Sequence, residues 1–104
     1  MKYAASFASG RLTVYLCGEL DHHAAAEAIR VIGELIEDNL PRQCVLELSG
    51  LSFMDSSGIA VIINAGRKMK TLGGSVTVEN PSPQPRKVLE TSGIERLIAV
   101  ATRT

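Results

Sequence analysis

Short apolar runs alternate with longer amphipathic ones along the chain, and this alternation constrains the architecture more than any other feature. In RLTVYLCGEL (11–20), Leu12, Val14 and Leu16 fall on one side of an extended backbone and Tyr15 and Cys17 on the other, with Gly18 reading as the end of a strand. In DHHAAAEAIRVIGELIEDNL (21–40), Ala25, Ala28, Ile29, Ile32, Leu35 and Ile36 recur at helical spacing. Asp21 is placed to cap that helix and Pro41 to end it. QCVLEL (43–48) is short, apolar and bounded by turn residues, as a buried strand would be. IAVIINAGRKMKTLGG (59–74) reads as a second helix, and on a wheel of about 100° per residue Ile59, Ile62, Gly66 and Met69 form its inner face. Arg67, Lys68 and Lys70 suit the negative end of its dipole, and Gly73 and Gly74 stop it. SVTV (75–78) is a further strand, SPQPRKVLETSG (82–93) a helix with Ser82 as cap, Pro83 at its first position and Gly93 as terminator, and RLIAV (96–100) a last strand.

The order β-α-β-α-β-α-β, with an added strand at 2–7, predicts an α/β fold: a small mixed, mostly parallel sheet flanked by helices. A length of 104 residues suits one hydrophobic core, so residues 1–104 read as a single domain. Eleven basic and eleven acidic side chains cancel, which removes the electrostatic reach expected of a direct nucleic-acid or membrane-surface binder. Aromatic residues make up only 4% and Trp is absent, so base-stacking platforms are not expected either. The opening MKYAASFASGR is broken by Ser6, Ser9 and Gly10 and is too short for a secretory apolar core, and no segment approaches the ~20 apolar residues of a membrane span. A cytoplasmic protein is the expectation. Cys17 and Cys44 both sit in apolar strand-like runs and are expected to be buried, reduced thiols; their number and spacing suit neither a disulfide framework nor a metal site.

The segment FMDSSGIAV (53–61) needs a separate explanation, because it sets a carboxylate, two hydroxyls and a glycine between two apolar elements. Asp55, Ser56 or Ser57 could cap the following helix, a role worth about 1 kcal/mol that needs only one of them. A nucleophilic serine would need a base. The histidines are His22 and His23, nothing in the sequence orients them, and the G-x-S-x-G elbow is not present. The same adjacent histidines point different ways on a helix and lack acidic partners at helical spacing, so no metal is expected. A third role is phosphate acceptor: the free N–H groups of a helix amino end tolerate an added dianion, which would change a surface and leave the fold in place. On the wheel, Ser57 shares a solvent face with Ala60, Val61, Asn64 and Lys68, a small, weakly polar patch suited to contact with a partner. LGGSV (72–76) lacks the lysine and the spacing of a phosphate-binding loop, so no bound cofactor is expected and any ATP must be held by a partner.

GELDHH (18–23), LSFMDSSGIAVII (51–63) and SGIERLI (92–98) together closely resemble the anti-sigma factor antagonists of the STAS domain family, nearest to the sporulation type, over about residues 12–100. The resemblance implies a regulator that is not an enzyme. It would bind an anti-sigma factor that is also a serine kinase and so release a sigma factor. The kinase would phosphorylate the second serine of DSSG, here Ser57, and a PP2C-type phosphatase would reverse the reaction. Asp55, Ser56 and Gly58 would shape the turn, and Asp21 would lie near Ser57 on the contact surface with Ala60, Val61 and Asn64. Alternatives are a STAS module in another phospho-regulated complex, such as general stress-response signalling, and a small serine hydrolase.

Overall fold

In the computed structural model, which describes residues 1–102, the elements are β1 (Lys2–Ala8), β2 (Arg11–Leu20), α1 (His22–Asn39), β3 (Gln43–Glu47), β4 (Leu51–Met54), α2 (Ser56–Thr71), β5 (Ser75–Glu79), α3 (Pro83–Ser92), a 3₁₀ turn (Ile94–Arg96) and β6 (Ala99–Ala101). The strands hydrogen-bond in the order β1-β2-β3-β5-β6, with β1 antiparallel to β2 and the other neighbours parallel. β4 stands off this path and pairs in parallel with the end of β2. This is the mixed, mostly parallel sheet with helices that the alternation implies.

Strand alternation decides which residues face the helices. Leu12, Val14 and Leu16 of β2, Cys44 and Leu46 of β3, and Val76 and Val78 of β5 form one buried cluster with Ala28, Ile32 and Ile36 of α1, Val61, Ile62, Ala65 and Met69 of α2, and Leu89 of α3. Burying each such aliphatic side chain contributes about 1.5–3 kcal/mol. On the opposite face Thr13, Val45 and Thr77 lie in register across β2, β3 and β5, and Arg11 Nη2 meets Glu79 Oε2 at 2.9 Å. All three helices supply that single cluster, so the other face of β2 stays open: Tyr15 is exposed, and so is Cys17, against expectation. Cys44 on the helix side is buried, and burial pushes its thiol up to about 12, which keeps it protonated and unreactive.

Two other expectations are corrected. Gly18 does not end β2; it sits inside the strand at φ 113°, where the register shifts and its N–H donates to Gly50 O at 3.0 Å. Beyond this irregularity β2 leaves β3 and pairs with β4, a strand the sequence did not reveal. In α2 the buried residues are Gly58, Val61, Ile62, Ala65 and Met69, while Ile59 and Gly66 are only half-buried. The buried face is turned toward α1, because α2 packs on that helix as well as on the sheet: a Cβ at Gly33 of α1 would come within 3.0 Å of Lys68 Cε. Val61 therefore belongs to the core and not to the solvent face.

Candidate functional site at two adjoining helix amino ends

β2 and β4 finish side by side, with Leu20 opposite Met54, and each is followed by an aspartate and then a helix. Asp21 and Asp55 have nearly the same extended backbone, φ/ψ −103°/−173° and −108°/−169°. The β2–β4 pairing thus explains why two loops far apart in sequence become neighbours. Asp21 Oδ1 accepts from the N–H groups of His23 at 2.9 Å and Ala24 at 3.0 Å, the capping role foreseen for it. Asp55 Oδ1 accepts from Ser57 N–H at 2.8 Å and its Oδ2 from His22 N–H at 3.2 Å. Two helix dipoles converge here with their positive ends, and two carboxylates face them.

Within the turn, Ser56 is exposed and Ser57 half-buried, so the second hydroxyl is less outward than the wheel suggests. Gly58 is buried, and a Cβ there would collide with Cγ and Sδ of Met54. Close approach of the first helical turn to β4 accounts for a glycine at a position where alanine is the better helix former by about 1 kcal/mol. Along the flank of α2 beyond Ser57, Ala60 is exposed and Asn64 half-buried, whereas Val61 at 1% exposure is withdrawn from any contact surface. Lys68, on the same flank, pairs with Glu37 of α1 at 2.8 Å.

The serine turn is also braced from α3 by residues the sequence did not single out for it. Gln84 Oε1 accepts from Met54 N–H at 2.8 Å while its Nε2 donates to Met54 O at 3.0 Å, so one side-chain amide closes the outer edge of β4 as a neighbouring strand would. Ser82 stands at the N-cap position but makes no side-chain cap; its hydroxyl donates to Leu51 O. Beside Ser56 lies an open, mostly apolar depression of about 310 Å³ lined by Gln84, Lys87, Val88 and Thr91, and Phe53 is 38% exposed next to the turn. Nothing in the sequence pattern marks Lys87, which only the folding of α3 against the turn brings near, whereas Phe53 adjoins the turn along the chain.

Among the described residues, His22 and His23 are exposed, stack edge-on with ring centroids 5.8 Å apart, and hydrogen-bond neither serine through their rings. No group of three or more His, Cys, Asp or Glu side chains among them could hold a metal ion. Two capped helix ends, a serine pair and shallow apolar relief form a surface suited to another macromolecule.

The sequence profile of the STAS domain matches residues 3–104. An anti-sigma F factor antagonist of Lysinibacillus sphaericus is 37% identical over 83 residues, which cover 80% of this chain and 71% of that protein. The solved structure of the anti-sigma factor antagonist SpoIIAA in its unphosphorylated form superposes with a TM-score of 0.84 at 29% identity, covering 99% of this chain and 89% of that one. The Bacillus cell fate determinant SpoIIAA in its phosphorylated form superposes with a TM-score of 0.75, also at 29% identity, covering 99% and 92%.

Proposed function

This chain belongs to the STAS domain family, and on that premise we propose that it is an anti-sigma factor antagonist switched by phosphorylation of Ser57. The observation that supports this most is the position of Ser57, in the first turn of α2, beside the capped amino end of α1 and on the border of an accessible surface. In its unmodified form the protein binds an anti-sigma factor through Asp21, Ser56, Ser57, Ala60 and Asn64, with Asp55 and Gly58 shaping the turn and Val61 supporting it from below. The anti-sigma factor is itself a serine kinase, and it transfers the γ-phosphoryl group of its own bound ATP to Ser57 Oγ. A phosphate there adds about 1.5–2 negative charges at neutral pH. The amino end of α2 accommodates that charge, so the helix persists while the contact surface gains negative charge. A PP2C-type phosphatase restores the hydroxyl. The protein works in the cytoplasm, in the sporulation pathway, and is not an enzyme; among its described residues no helix is long and apolar enough to cross a membrane.

Incubation with ATP and the serine-kinase anti-sigma factor encoded nearest the gene, followed by mass mapping, tests this reading. Phosphate on Ser57 of the wild type and none on Ser57→Ala is the expected result. Phosphate on Ser56 alone, or no phosphate and no complex, would overturn it.

A further inference from the structure

The two carboxylate oxygens of Asp55 do different things. Oδ1 caps its own helix at Ser57 N–H, 2.8 Å away, as an N-cap residue should. Oδ2 takes the N–H of His22, the first residue of α1, at 3.2 Å and across 33 positions of sequence. The cap of α1 does not need this contact, because Asp21 already accepts from His23 and Ala24 and leaves the N–H of His22 free for another acceptor. Near this bridge the backbone link between the two loops is Asp55 N–H to Leu20 O, at 3.3 Å. We propose that Asp55 is a positioning residue that ties the amino ends of α1 and α2 together, fixing Asp21 relative to Ser57 so that the two loops present one surface to the partner. The inference rests on the proposed function for its consequence, not for its geometry.

Asparagine separates capping from bridging. It ranks with aspartate as an N-cap, so Asp55→Asn keeps the bond to Ser57. Its second atom is an NH₂ group, however, which meets the N–H of His22 donor to donor. No orientation of the amide serves both helices. Serine, with one short hydroxyl, also caps without bridging, and provides a second variant with the same expected outcome.

The test follows hydrogen exchange of the backbone amides of the free, full chain by NMR. In the wild type the His22 and Ser57 amides are both expected to be protected, because one carboxylate accepts from both. In Asp55→Asn and Asp55→Ser the protection of His22 should be lost while Ser57, still capped, keeps its own, and His23 and Ala24, held by Asp21, do not change. Calorimetry with the anti-sigma factor should then show binding at least five-fold weaker for both variants at unchanged circular dichroism. A His22 amide unprotected in the wild type, or equally protected in Asp55→Asn, overturns the bridge; full affinity in both variants overturns its role in positioning. A wild type that binds no anti-sigma factor would sink the proposed function while the exchange at His22 still decides the bridge.

Discussion

At their amino ends α1 and α2 are joined by short carboxylates and backbone N–H groups, with Asp21 capping one helix and Asp55 touching both. At the other end of the pair the contact is Lys68 Nζ to Glu37 Oε2 at 2.8 Å, flanked by Leu40 and Leu72, which are 67% and 43% exposed. An aspartate has few rotamers to lose, and its partners are fixed backbone atoms. A lysine–glutamate pair in water gives up far more side-chain freedom and gains little from the charges. Polar contacts to fixed backbone atoms thus set the helix pair at the end that carries Ser57, whereas at the other end the pair is held by buried Ile36 and Met69 and its polar contact adds little.

Substitutions that break this contrast should rank accordingly. The largest effect is expected from Gly58→Val, which forces a branched side chain against buried Met54 and should lower unfolding free energy by about 3 kcal/mol in a denaturant titration. Asp21→Ala removes an acceptor from two N–H groups and should cost about 1–2 kcal/mol in the same measurement. Lys68→Met, at the opposite end, should change stability by no more than about 0.5 kcal/mol, because it breaks only a solvated ion pair. If Lys68→Met proved as costly as Asp21→Ala, the contrast between the ends would be lost.

The smallest effect concerns Glu47, at the end of β3 on the sheet face opposite the helix-packed core. Burial opposes its ionisation, but hydrogen bonds from Asn80 and Ser49 outweigh it and hold the carboxyl below its ordinary value. A lowered native pKa means that its stabilising contribution is present above the unfolded value, near 4.3, and fades as the pH falls through the native one. Glu47→Gln should therefore lower the melting temperature at pH 7 slightly and narrow its difference from wild type toward pH 3, in parallel thermal scans. A gap that widened in acid would reverse the sign of this contribution.

Local signals in the sequence were read correctly where one element decided the outcome. Asp21 caps α1, Pro41 follows its end, Pro83 begins α3, and Gly93 ends it in the left-handed region at φ 73°. What escaped depended on neighbours distant in the chain. β4 is four residues long and pairs with a part of β2 that lies beyond the irregularity at Gly18, so periodicity alone could not find it. Val61 lies in the core and not on the wheel's solvent face because a wheel takes no account of a second helix packed against the flank of the first. Cys17 is exposed, and not buried as its apolar run suggests, because alternation puts it opposite Leu16, on the face that no helix covers. For the site, DSSG and Asp21 were legible as residues, and the resemblance implied that Asp21 lies near Ser57; the Leu20–Met54 pairing that joins their loops, and the Gln84 brace, were not.

The most direct measurement of the proposed switch is a calorimetric titration of the anti-sigma factor with unmodified protein and with protein phosphorylated only at Ser57. Saturable binding of the unmodified form and at least a ten-fold loss on phosphorylation, about 1.4 kcal/mol or more, is the expected result, with superimposable circular dichroism for the two forms. Equal affinity for both forms would contradict the assignment of Ser57 as the switch.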